Sequence, residues 1–389
     1  MLARPVTRGA LPAALALASL LAACGGRPAA APPDGGFDTF VPGPPSDQLD
    51  ILFAIDNSNT DFGDSGLCPM RLSALLAPLA AAHPGLSVQV GVVTSDLGAG
   101  VFTAPSCDTI GGDQGQLWNT GWGSTCTTAH LSDPSARFLG FSLASDGSVT
   151  SPNFAGTVDD VFDCYRSVGV GGCGFEHNLG SARAALVGCN TPVGCTQPAN
   201  AGFLRPDAYL LLVVMSSEDD CSAPPDSTLF DTGVQPWIDG LGPLSSYRCF
   251  QYGVLCQGRD VGRDVGTRES CFPGDKDPDP HHQLVPVPTF ARDFKALKAS
   301  PRMVYTAVFA GPPTPVEIGS DANGYPWLKA SCRGGGGIWQ ASAQPAIRLE
   351  AFTRQFDADR ARFFNACTAD ADGSFAQIGS DLATALQGD

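Results

Sequence analysis

The sequence predicts an α/β fold: a doubly wound, mostly parallel sheet carrying disulfide-rich insertions. Strand-length apolar runs alternate with helix-length segments. The runs at residues 51–55 and 208–215 are apolar throughout, and two runs end in a burst of polar residues. A strand that is apolar on both faces belongs in a parallel sheet covered by helices on either side. The polar bursts then lie at the carboxyl ends of strands, where open α/β sheets form their sites.

Residues 51–60, ILFAIDNSNT, open the pattern: branched and aromatic side chains stop at Asp56, followed by Ser58 and Thr60 at alternate positions. A carboxylate and two hydroxyls in one loop are hard oxygen donors, suited to a divalent cation that keeps positions for water or a partner's carboxylate. Residues 67–82 are rich in Leu and Ala and stop at His83-Pro84-Gly85, which predicts a helix. Residues 86–95, LSVQVGVVTS, form the second strand. Residues 97–150 are loaded with Gly, Ser, Thr and Asp, and read as a disulfide-stapled insertion with one or two short strands. Helical spacing returns at residues 153–167 (Phe154, Val158, Val161, Phe162, Tyr165) and 175–187 (Leu179, Ala182, Ala185, Leu186). Residues 208–215, AYLLLVVM, are the most apolar strand, and SSEDDC follows. A loop over 273–288, a helix over 290–298, a strand over 303–310 and closing helices over 349–364 and 375–386 complete the expected order.

Ahead of this body, Arg4 and Arg8 precede an apolar stretch, residues 11–21, ending in Leu21-Ala22-Ala23-Cys24. That order is a signal peptide over residues 1–23, too short for a membrane span. The ending resembles the bacterial lipobox, which implies that Cys24 is lipidated and anchors the chain in the cell envelope, the outer membrane favoured over the inner. The alternative is an ordinary secretory signal with a chance cysteine; on both readings the chain leaves the cytoplasm. Residues 24–46 are dense in Pro, Gly and Ala and read as a tether. No second linker of this kind follows, so residues 47–389 are expected as one domain.

The formal net charge is −16, which excludes nucleic-acid binding through phosphate neutralisation. The membrane is met only through the N-terminal lipid. Fourteen cysteines are many for a cytosolic fold of this class, and their spacings lack the close pairs of a zinc site. With Cys24 set aside, up to six disulfides and one leftover thiol are expected in an oxidising compartment. Cys107 with Cys126 and Cys249 with Cys256 are the local pairs that the spacing favours.

Asp50 to Thr60, DILFAIDNSNT, resembles the first strand and metal loop of von Willebrand factor type A domains, whose pattern is Asp-x-Ser-x-Ser, with Thr60 keeping the last hydroxyl. Residues 88–96 are similar to that family's second strand and residues 209–220 to its fourth. A lipobox, a tether and cysteine-rich insertions around such strands resemble the type A domain lipoproteins of the envelope. The resemblance implies a Rossmann-like sheet and a metal-ion-dependent adhesion site recognising another protein. The family's aspartate after the fourth strand falls here on Ser217, so Glu218 and Asp219 are the acidic residues expected to complete the shell. Its middle threonine falls near Gly172-Cys-Gly-Phe-Glu176, where Glu176 is the candidate oxygen donor. The implied ligand set is Asp56, Ser58, Thr60, Glu218 and Asp219 around Mg²⁺ or Ca²⁺. The opposing reading is a type A fold with a decayed site, Asp56 capping the next helix and Ser58 bonding to backbone. Functionally it is a metal-free, disulfide-stabilised structural or regulatory scaffold.

Other candidates are weaker. His281 and His282 follow Asp275, Asp277 and Asp279 in a Pro-rich loop that cannot place them on one helical face. Asp370, Asp372 and Gly373 lack the downstream glutamate of a calcium loop, and Asp372 or Ser374 reads better as a helix N-cap. No Gly-x-Ser-x-Gly elbow is present, and Gly334 to Gly337 lacks a phosphate-loop lysine, so no enzyme is expected.

Overall fold

Strand β1, Gln48–Ile55, is buried along nearly its whole length, and its side chains explain the layers on either side. The structure, a computed structural model, describes residues 42–58, 70–119, 130–133, 135–188, 198–233, 240–274, 280–334 and 342–388. Leu49, Ile51, Phe53 and Ile55 share one face with Leu75 and Leu79 of helix α1 (Leu72–Ala82), Phe162 of α2 (Val158–Arg166) and Phe375 of α7 (Ala371–Ala385). Leu52 and Ala54 point the other way, toward Leu179 of α3 (Asn178–Leu186), Phe290 of α5 (Val287–Lys295) and Phe352 of α6 (Ile347–Thr353). The period of two along a strand thus builds two apolar cores.

The main sheet has seven strands: β1, β2 (Ser87–Thr94), β3 (Leu139–Leu143), β4 (Val149–Thr150), β5 (Tyr209–Met215), β6 (Val304–Ala310) and β7 (Ala361–Asn365). Their order is β7-β6-β5-β1-β2-β3-β4. The five from β7 to β2 are parallel, and β3 and β4 add an antiparallel edge. This is a mixed α/β fold, Rossmann-like in general plan, with helices on both faces. Asp50 is the one polar residue inside β1's buried run. Its carboxylate accepts from Arg205 Nε and Arg205 N, each at 2.8 Å, and lies 3.6 Å from Lys298 Nζ, so the buried charge is paired and hydrogen-bonded.

Two expectations are corrected here. Residues 349–364 are not one helix: α6 stops at Thr353 and residues 361–365 form the edge strand β7. The insertion over 97–150 carries short strands as expected, and two of them, β3 and β4, join the main sheet as its edge. Cys107 pairs with Cys173, Cys249 with Cys221, and Cys256 with Cys271; Cys332 with Cys367 is a fourth bond. Cys126, like Cys24, lies outside the described residues.

Three of these disulfides join segments that leave the carboxyl ends of the parallel strands. Cys107 follows β2 and Cys173 leads to α3; Cys221 follows β5 and reaches α4 (Tyr247–Gly253); Cys367 follows β7. The first two bonds sit within a separate apolar cluster with Ala99, Phe175, Leu229, Phe230 and Tyr252. This cluster is a third, smaller core. Arg248 pins it, 1 % exposed, donating to the carbonyls of Leu229, Asp231, Gly242 and Pro243.

Candidate functional site

Asp56 is the first residue after β1. Its amide donates to Met215 O at the end of β5 (2.9 Å), and Ser95 N, just past β2, donates to Ile55 O (3.0 Å). β1 connects through α1 to β2 on one side and has β5 on the other, so Asp56 occupies the point at which the strand order reverses. Doubly wound sheets form their ligand crevices there.

The Asp56 carboxylate is engaged by the protein itself. Oδ1 accepts from Ser58 N (3.0 Å) and Ser58 Oγ (3.1 Å); Oδ2 accepts from Ser217 Oγ (2.8 Å), Ser217 N (3.1 Å) and, at 3.4 Å, Ser216 Oγ. Among the described residues, Asp56 Oδ1 thus holds Ser58 rather than the start of a helix, and the Ser58 hydroxyl donates to a side chain rather than to backbone.

Two more carboxyl groups face it. Glu176, two residues ahead of α3 and 1 % exposed, accepts from Ser95 Oγ at 2.5 Å through Oε2. Ser58 lies close enough to favour its charged form, but that hydroxyl donates to Asp56, and Glu176 Oε1 has no partner. Burial, and then the charges of Asp56 and Glu218, hold the Glu176 carboxyl well above the usual range. Glu218, partly buried, accepts from Gln344 Nε2 at 2.8 Å and is reached by the Ser246 hydroxyl. Burial and the Asp56 charge push it up to about 7. Among the described residues, no Lys, Arg or His forms an ion pair with any of the three.

The other two acids of the SSEDD segment hold the architecture. Asp219 accepts from Arg348 N (2.8 Å) and Leu349 N (3.0 Å), capping α6 from outside. Burial still pushes its carboxyl up to about 6. Asp220, fully buried, accepts from Leu179 N (3.0 Å) and Ser222 Oγ (2.6 Å) and pairs with Arg348 Nη2 at 3.1 Å. Arg348 Nε also bonds Asp220 O, and Nη2 bonds Val285 O. One strand end thereby fixes the first turns of α3 and α6.

Further polar groups are buried beside this cluster. His177 Nε2 donates to Gly98 O at 3.0 Å, Nδ1 has no partner, and burial pushes the imidazole down to about 4. Asn178 Nδ2 donates to Ser216 Oγ at 3.1 Å, while Asn178 Oδ1 has no partner.

The expected cofactor is overturned. Among the described residues, no group of three His, Cys, Asp or Glu side chains could hold a metal ion. The reason lies in the donors: both Asp56 oxygens are engaged by serines, and Asp219 is turned to the N-terminus of α6. A Mg²⁺ or Ca²⁺ site built from Asp56, Ser58, Thr60, Glu218 and Asp219 is withdrawn. Thr60 lies outside the described residues. The alternatives set aside earlier also resolve: Asp370, not Asp372 or Ser374, caps α7 through Gly373 N, and His281 faces Asp226.

Sequence reasoning located Asp56, Ser58 and Glu218 at one crevice and noted Glu176 and Ser217 nearby. It missed Ser95, Asp220 and Arg348. Only the apolar-to-polar switch at Thr94-Ser95 could have flagged the first. No protein-family model matches the chain, and searches of curated proteins and of solved structures return no match.

Proposed function

We propose that this chain is a metal-free, disulfide-stabilised structural or regulatory scaffold of the bacterial cell envelope, anchored by lipid at Cys24 and displayed on the 24–46 tether. The observation that carries this reading is the stapled core over the carboxyl edge of the sheet. In an open α/β sheet that edge is where a ligand enters; here Cys107–Cys173 and Cys221–Cys249 close apolar residues over it, and Asp56 is left 6 % exposed. Disulfides of this density belong to exported proteins. The likeness to von Willebrand factor type A domains enters as architecture: an Asp-x-Ser turn after β1, a serine after β5 answering it, and a parallel sheet with an antiparallel edge. Ion-dependent adhesion is not part of this reading.

Calorimetric titration of Mg²⁺ and Ca²⁺ into the oxidised, EDTA-dialysed chain tests it. No saturable heat is expected from either ion. Saturable heat that disappears in Asp56→Ala contradicts the proposal.

A further inference from the structure

A cavity of about 240 Å³, lined by none of the residues that engage Asp56, opens beside β2 where the insertion returns to the sheet. Its walls come from the 112–119 segment and from Arg137, two residues ahead of β3. Hydrogen bonds fix both. Trp118 N donates to Val92 O (2.7 Å), Leu117 N to Asn200 Oδ1 (2.9 Å) and Asp113 N to Asp96 O (3.0 Å), while Arg137 Nη1 donates to Leu117 O (3.1 Å). Walls held by the fold itself lower the ordering cost of binding.

Two opposite charges share this cavity without pairing. Asp113 Oδ2 accepts from Thr94 Oγ1 at 2.6 Å, and the Arg137 side chain gives its one hydrogen bond to a carbonyl; among the described residues neither forms an ion pair. In a chain of 39 acidic and 23 basic residues, an arginine does not stand unpaired for want of acids. Asp96 is not in the lining, and its Oδ1 accepts from Gly98 N at 2.7 Å. A ligand that satisfies Asp113 and Arg137 together carries a positive and a negative group of its own. An anion alone meets Asp113 and a cation alone meets Arg137, so the two walls select against singly charged ligands. Size narrows the class further: the cavity exceeds the roughly 150 Å³ that takes a benzene ring and falls short of the roughly 300 Å³ at which drug-sized pockets begin. Trp118, packed against the main core, adds an aromatic wall.

We propose that this cavity binds a free α-amino acid, its carboxylate on the Arg137 guanidinium, its ammonium on Asp113 and its side chain along Trp118. The guanidinium's planar fork matches a carboxylate, and an ammonium's three donors suit the Asp113 oxygen that Thr94 does not take. The proposal does not depend on the closed crevice at Asp56, and it adds a ligand to the scaffold.

The test is equilibrium dialysis of the oxidised chain, in EDTA, against an equimolar mixture of the standard amino acids, with mass spectrometry of what the protein retains and calorimetry of each retained compound. At least one amino acid is expected to bind saturably. Its des-amino carboxylic acid and its decarboxylated amine are each expected to bind about tenfold more weakly, since one charged wall is then left without a partner. Asp113→Asn, which keeps an acceptor for Thr94, is expected to abolish the preference over the des-amino acid, and Arg137→Gln the preference over the amine. Glu317→Gln, on the strand Val316–Ser320 outside the main sheet, leaves binding unchanged. Unfolding midpoints confirm that the variants are folded, and the two analogues test the charge pairing on the wild-type chain alone should a variant fail to fold. Retention of no amino acid, equal affinity for the amino acid and its singly charged analogues, or preferences unmoved by both substitutions overturns the proposal. EDTA keeps ions out of the assay, so a failure of the metal-free reading is a separate result.

Discussion

Replacing Arg348 by Met removes the cation that pairs with Asp220. Asp220 and Arg348 are 0 % and 2 % exposed, so solvent does not screen the pair. Three donated bonds go with the guanidinium: to Asp220 O (2.9 Å), Asp220 Oδ2 (3.1 Å) and Val285 O (2.7 Å). The carboxylate keeps Leu179 N and Ser222 Oγ, so its burial is cushioned but its charge is not offset. Breaking such a pair from one side costs about 3 to 5 kcal/mol. Adding Asp220→Asn removes the stranded charge and recovers about 1 to 2 kcal/mol, although each substitution alone destabilises. Urea unfolding of the oxidised protein, followed by tryptophan fluorescence, measures all four members of the cycle. A loss below about 1 kcal/mol for Arg348→Met, or a double variant less stable than Arg348→Met, refutes the reasoning.

Removing the bond between β5 and α4 with Cys221→Ala and Cys249→Ala, which frees a 28-residue separation, is expected to cost about 3 to 4 kcal/mol in urea unfolding; a loss under about 1 kcal/mol contradicts a stapled core. His177 titrates near 4 in the fold against 6.5 unfolded, so its contribution is present above pH 6.5 and is lost, by about 3 kcal/mol, as pH falls toward 4. His177→Gln should flatten that limb of the stability profile, and an unchanged limb counts against a buried neutral imidazole. Glu218 has the opposite sign: its folded pKa of about 7 exceeds the usual 4.5, so its contribution is present below pH 4.5 and lost as pH rises through 7. Glu218→Gln is therefore expected to gain up to about 3 kcal/mol over wild type at pH 8 and little at pH 4.5; equal stability at pH 8 denies the cost of burying the charge beside Asp56.

The elements legible in the sequence were those decided by burial on both faces. β1, β5 and β6 are uniformly apolar because helices cover each side, and no other element tolerates that composition at that length. β7 was misread because an edge strand is only half covered. Its residues, ARFFN, are all of intermediate burial, and Leu349, Phe352 and Phe356 ahead of it are helically spaced. Disulfide partners were misread for a related reason. Proximity along the chain favours Cys107 with Cys126, but the segment that leaves β2 meets the one between α2 and α3, so Cys107 finds Cys173 across 66 residues. Asp56 was legible as the stop of an apolar run. Asp220 and Arg348 were not, since a pair separated by 128 residues leaves no local pattern, and nothing local distinguishes Asp219, which caps a helix, from Glu218, which faces Asp56.

The most direct test of a metal-free, disulfide-held scaffold is the thermal unfolding midpoint of the chain measured oxidised and reduced, each with EDTA and with Mg²⁺ plus Ca²⁺. The account predicts a large drop on reduction and the same midpoint with or without the ions in the oxidised protein. A midpoint that rises with the ions and is indifferent to reduction contradicts it.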